Sequence, residues 1–131
     1  MEQSKILIID DDPDITEAMK MVLENQGYSV DNAVDGSEGL EKIQAYKPNL
    51  IILDVMMNTM REGFLLSREI KNDPQYSTIP LLMITSVKEV TGIDFKEAAG
   101  DEDWLPVEEF LDKPVKPDVL VDKVKALLQK T

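Results

Sequence analysis

The sequence predicts a doubly wound α/β fold: five parallel strands in one sheet with helices on both faces. Three observations carry that expectation. Short apolar runs end abruptly at polar residues: KILII at Asp10-Asp11-Asp12, NLIIL at Asp54, PLLMI at Thr85-Ser86, and the shorter FL at Asp112, one residue before Lys113. These runs are apolar throughout rather than alternating, which marks strands covered on both faces, as in a parallel sheet. Between them the apolar residues repeat at helical spacing, so strands alternate with helices in the βα order of such folds.

Each element has its own signals. Strand one is Lys5–Asp10. Pro13 suits the first turn of a helix, with Asp12 as its N-cap, and Ile15, Ala18, Met19, Val22 and Leu23 recur at helical spacing up to a terminating Gly27. Strand two, Tyr28–Ala33, is shorter and more polar and is expected at an edge. Asp35 with Glu38 has the form of a capping box opening a helix to Lys47. Strand three is Asn49–Asp54. A loop is expected to Gly63, then a helix over about Phe64–Lys71. Pro80–Thr85 is strand four and Phe110–Asp112 a short strand five. Pro117 starts the last helix, whose Leu120, Val121, Val124, Leu127 and Leu128 form one apolar stripe. Residues Val87–Glu109 are irregular. They contain Gly92, Gly100, Pro106 and the single tryptophan, Trp104, behind Asp101-Glu102-Asp103. Trp104 either covers the sheet edge or faces a partner, since aromatics are enriched at interfaces.

Composition narrows the function. The 131 residues are expected to form one domain, 1–131, with no output domain. Acidic residues number 26 against 14 basic, a net charge of −12. Phosphate backbones would repel such a surface, so direct nucleic-acid binding is not expected, and basic patches on partner proteins are. The chain has no cysteine and no histidine. That excludes disulfides, thiolate chemistry, Ser-His catalysis and histidine metal ligands. The N-terminus lacks a signal-peptide pattern and no apolar run reaches the ~18 residues that span a membrane, so a cytoplasmic protein with no membrane partner is expected.

If the strands lie side by side, their carboxyl ends bring carboxylates, a hydroxyl and an ammonium to one edge, where open α/β sheets bind ligands. For Asp12 and Asp14 a plain helix-capping role is the stronger reading, because carboxylates are favoured there by the helix dipole. Asp10 and Asp11 sit before the cap. The spacing of Asp10, Asp12 and Asp14 opens like an EF-hand, but Ile15 replaces the required glycine and Met21 the closing glutamate. Neither GxGxxG nor GxxxxGK occurs, so no phosphate-cradling glycine loop is present. Close carboxylates repel by about 4 kcal/mol per pair at an effective dielectric near 20, which calls for a compensating cation. Oxygen-only ligands with open water positions suit Mg²⁺.

These residues resemble the receiver domain of two-component response regulators, in its stand-alone, single-domain form. The motifs IIDD, IILD, MITS and LDKP fall in the family's order along essentially the whole chain. The resemblance implies a flavodoxin-like sheet of strand order 2-1-3-4-5, and a switch that takes a phosphoryl group from a sensor histidine kinase or phosphotransfer protein rather than a turnover enzyme. Asp54 would be the phosphoacceptor. Asp11, Asp54 and the backbone carbonyl of Met56 would bind Mg²⁺ directly, and Asp10 through water. Thr85 and Lys113 would hold the phosphoryl oxygens, with Phe110 as the aromatic that follows Thr85 inward. Lys113-Pro114 resembles the family's cis peptide bond. Three carboxylates, Mg²⁺ and one ammonium are balanced in charge. A phosphoryl group adds about −1.5 to −2 and upsets the balance, which would bias a two-state element. The downstream target is not specified by these residues, and homodimerisation through the fourth and fifth helical region is left open.

Two stretches depart from the family. Its D-x-x-x-P-x-x-x-G pattern meets Asn58 and Glu62 here, with Gly63 one residue late, and Val87–Glu109 is longer than usual on the family's output face. By the same resemblance, Met56 and Val87 flank the path of attacking water and are expected to slow hydrolysis of the acyl phosphate. Two rival readings fit these residues less well. A haloacid-dehalogenase-type phosphatase needs an aspartate two residues after the nucleophile, where Met56 stands. A pseudo-receiver that binds partners without phosphorylation needs a broken site, whereas the acidic, hydroxyl and lysine set is complete.

Overall fold

In a computed structural model of the chain, residues 4–54, 60–85, 109–112 and 116–129 are described. The apolar runs form five strands: β1 (Lys5–Ile9), β2 (Ser29–Ala33), β3 (Leu50–Asp54), β4 (Leu81–Thr85) and β5 (Glu109–Asp112). They make one sheet in the order β2-β1-β3-β4-β5, every neighbouring pair parallel. The described helices are α1 (Pro13–Asn25), α2 (Gly36–Tyr46), α3 (Met60–Asn72) and α4 (Pro117–Gln129). The fold class, the strand order and the edge position of β2 are as the sequence indicates.

The strands are apolar at consecutive positions because both faces are covered. Leu7, Ile9, Ile51 and Leu53 pack on one side with Ile43 of α2 and Ile70 of α3. Ile6, Ile8, Leu50 and Ile52 pack on the other with Met19 and Leu23 of α1 and Leu120 and Val124 of α4. Each such buried side chain contributes about 1.5–3 kcal/mol relative to exposure. Among the described residues, no helix is long and apolar enough to cross a membrane.

The ends of the helices are fixed by local chemistry. Pro13 occupies the start of α1, and the Asp12 carboxylate accepts hydrogen bonds from the amides of Asp14 and Ile15. At the other end Gly27 adopts φ 92°, a conformation that disfavours side chains. There the Tyr28 amide donates to Leu23 O (3.3 Å) and the Gly27 amide to Glu24 O (3.0 Å), the paired bonds of a Schellman motif. Asp35 caps α2 by accepting from the Glu38 amide at 2.9 Å. Lys71, in the last turn of α3, donates from Nζ to the carbonyls of Ser77 (3.2 Å) and Ile79 (2.8 Å), tying down the turn that leads into β4.

Three expectations need correction or lie beyond the described residues. Helix α3 begins at Met60, so Met60–Gly63 are helical where a loop was expected. Gly63 looked like a breaker, but an interior glycine costs only about 1 kcal/mol, which a tertiary-packed helix absorbs. In α1 the buried stripe is Thr16, Met19 and Leu23, while Ala18 is exposed and Ile15 and Val22 are partly buried. Residues 55–59 and 86–108, with the expected loop at Asn58 and Trp104, lie outside the described set.

One contact limits how α2 can sit on the sheet. Gly39 is buried against β1, and a Cβ added there would lie 2.7 Å from Ile9 Cδ1 and 3.3 Å from Ile9 Cγ1. Ile9 is itself fully buried, so its side chain must repack within the core to make room. Gly39→Val is therefore expected to destabilise the fold by about 2 kcal/mol, the scale of core overpacking, seen as a lower urea midpoint at unchanged slope.

Candidate functional site

Because all five strands run the same way, their carboxyl ends share one edge. Ile9 is in register with Leu53, which sets Asp10 level with Asp54 on the adjacent strand. Asp54 pairs with Ile84, so Thr85 lies one step further out, and Thr85 pairs with Asp112. Lys113 follows Asp112 in the chain. Adjacent strands are separated by about 4.8 Å. The strand ends that carry the predicted site residues are thus neighbours across β1, β3, β4 and β5.

Asp10 extends β1 by one step, its amide donating to Ala33 O at 3.0 Å. Its side chain is only 2% exposed, deeper than a surface carboxylate is ordinarily found. Oδ1 accepts from the Asp12 amide at 2.9 Å, which fixes the carboxylate relative to the start of α1. Asp11 is exposed at the rim and Asp12 is half-buried. The three consecutive aspartates therefore divide by position: one is buried, one faces solvent and one caps the helix. Asp12 and Asp14 take the helix-terminus roles that their placement suggested, Asp12 accepting from the amides of Asp14 at 2.9 Å and Ile15 at 3.3 Å.

The backbones of Asp54, Thr85 and Phe110 lie in strands β3, β4 and β5. Their side chains, and all of Met56, Lys113 and Pro114, lie outside what the structure describes. Among the described residues, no three His, Cys, Asp or Glu side chains gather closely enough to hold a metal by themselves. The link from the Asp12 amide to Asp10 was not legible in the sequence, since every residue but proline carries the same donor.

A family model described as the response regulator receiver domain matches residues 6–125. The chain belongs to that family. At 127 aligned residues it is 34% identical to the DNA-binding dual master transcriptional regulator RpaA of Synechocystis, covering 97% of this chain and 50% of that protein. The alkaline phosphatase synthesis transcriptional regulatory protein PhoP of Bacillus subtilis is also 34% identical, over 97% of this chain and 49% of its own. The receiver thus spans about half the length of these two relatives. Among solved structures, a putative response regulator from Chloroflexus aurantiacus superposes with a TM-score of 0.83 at 32% identity, covering 98% of this chain and 99% of that one. A CheY-like receiver domain protein from Methanospirillum hungatei gives 0.82 at 27%, covering 98% and 96%. This places the chain in phosphorelay signal transduction, within a family of phosphoacceptor switches that generally bind Mg²⁺ at the acidic site.

Two measurements probe the receiver's first helix. Asp12→Ala removes the acceptor for two helix-terminal amides and is expected to cost about 1 kcal/mol in urea unfolding, with Asp12→Asn retaining most of it. Thr16 is 5% exposed and its hydroxyl has no hydrogen-bond partner among the described residues. Thr16→Val keeps the shape and deletes that stranded group, so the unfolding midpoint is expected to rise, by about 1 kcal/mol in stability.

Proposed function

We propose that this receiver takes a phosphoryl group onto Asp54 from a phosphohistidine on a sensor histidine kinase or phosphotransfer protein, and that the modification switches which proteins it binds. The observation that supports this reading is the register at the carboxyl edge: buried Asp10 level with Asp54, and Thr85 one step out on the next strand.

The donor set fits Mg²⁺. It is oxygen-only in a chain without histidine or cysteine, and it combines a buried carboxylate at Asp10 with an exposed one at Asp11. Asp11, Asp54 and the Met56 carbonyl would hold the ion directly, and Asp10 would hold it through water. When bound, the ion supplies the positive charge that offsets the clustered carboxylates and the incoming phosphoryl oxygens. The chain's own residues do the rest. The Asp54 carboxylate attacks phosphorus in line, its new P–O bond forming as the P–N bond breaks and the imidazole keeps the electron pair. Lys113 and Thr85 hold phosphoryl oxygens, so catalysis is positioning and charge stabilisation. Asp12 contributes indirectly by holding Asp10 through its amide. Thr85 moving toward the phosphoryl group frees space that Phe110 fills, which converts a charge event into a change of surface. The chain would catalyse only its own phosphorylation and dephosphorylation. Met56 and Val87 would slow the latter by obstructing water. A basic patch on the downstream partner accompanies this reading, as the net charge of −12 suggests, and so does a cytoplasmic location.

Incubation with acetyl phosphate and Mg²⁺ tests the assignment by intact-mass analysis. The expected result is a gain of one phosphate, abolished by chelation and absent in Asp54→Asn. An unphosphorylated protein that still bound its partner would favour a pseudo-receiver instead. Turnover of free phosphomonoesters would point to a phosphatase.

A further inference from the structure

The edge strand β2 carries a feature unrelated to phosphoryl chemistry. In a parallel ladder each strand's residues alternate, one turning its amide and carbonyl toward the neighbour and the next turning them away. The Ser29 amide donates to Ser4 O and Ala33 O accepts from the Asp10 amide, so the odd-numbered residues of β2 face β1. Val30 and Asn32 therefore turn their backbone groups outward, where no described strand lies beyond β2. An open row of this kind is a template for adding a strand from another molecule.

At Asn32 the outward amide is already taken. It donates to Oδ1 of the adjacent Asp31 at 2.8 Å. The same oxygen accepts from Lys42 Nζ of α2 at 3.0 Å, which anchors the carboxylate from the covered face of the sheet. Two chains meeting in a two-fold antiparallel β2 pair centred on Asp31 would set one such carboxylate opposite the other, a destabilising arrangement.

We infer that Asp31, held by Lys42, is an edge guard that prevents a second copy of this chain from pairing along β2. The guard satisfies the outward amide from within and adds a charge that rejects the self-complementary partner. Burial pushes the Asp31 carboxyl up, but the Asn32 amide and the Lys42 and Lys20 ammonium groups outweigh it and hold the group below the ordinary carboxylate range. The charge therefore persists at neutral pH. The guard spends little stability, since both side chains are about a third exposed and such surface pairs contribute little.

The full chain with Asp31→Ala tests this by sedimentation equilibrium and by amide exchange of Asn32. The expected result is an unchanged circular dichroism spectrum, faster Asn32 exchange than in the unsubstituted protein, and a mean mass that rises with concentration. Adding Asn32→Pro, which removes the outward N–H at this edge position, should abolish that rise. An unchanged mass at every concentration, or unchanged Asn32 exchange, would overturn the inference. So would association that survives Asn32→Pro, because it would run through another surface. If Asp31→Ala fails to fold, Asp31→Thr has higher strand propensity and is read by the same criteria.

Discussion

The pairing of β1 with β3 is the constraint on which the rest of the molecule depends. Its four registered positions, Ile6 with Leu50 through Ile9 with Leu53, are buried on both faces of the sheet. A slip of one residue would exchange every side chain between the two cores and force the α1–α4 layer to accept what the α2–α3 layer now holds. The registry is further held at its lower end, where Asn49 Oδ1 accepts from the Lys5 amide at 2.8 Å and the Asn49 amide donates to Lys5 O at 2.7 Å. With that end fixed, the other follows by counting. Asp10 arrives level with Asp54 because both strands run parallel from a common start. Apolar packing therefore sets the spacing of polar groups that take no part in the packing.

The helices transmit that order to the polar edge. Helix α1 begins three residues beyond Asp10, and its cap residue, Asp12, gives its side chain to the helix and its amide to the buried carboxylate. One residue thus joins the helix terminus to the sheet edge. Lys71 does a comparable job at the opposite end of the sheet, where its ammonium gathers two carbonyls of the turn entering β4. Neither tie is large energetically. Both stop a connection from wandering at a point where the strand position must be defined.

Much of this was legible in the sequence because it follows from periodicity. Continuous apolar runs predicted buried strands, their polar ends predicted a shared edge, and the polar character of Ser29–Ala33 predicted an edge strand. Strand ends came within about a residue, which is the ordinary ambiguity of such boundaries. What was not legible depends on neighbours distant in the chain. Thr16 lies in the buried stripe although its type suggested otherwise, and Ala18, expected inside, is exposed. Gly63 is helical despite its low helix propensity. Asp31 gave no signal at all, for its role depends on which way one amide of the edge strand turns.

The close seat of Gly39 on Ile9 has a mechanical consequence. Helices usually shift over a sheet by small readjustments of the side chains between them, which act as slack. At Gly39 there is no side chain to readjust, and the helix backbone rides directly on a fully buried isoleucine. At that point no helix side chain separates α2 from β1. Asp10 is the next residue after Ile9, so displacing α2 at Gly39 would bear first on the residue beside the buried carboxylate.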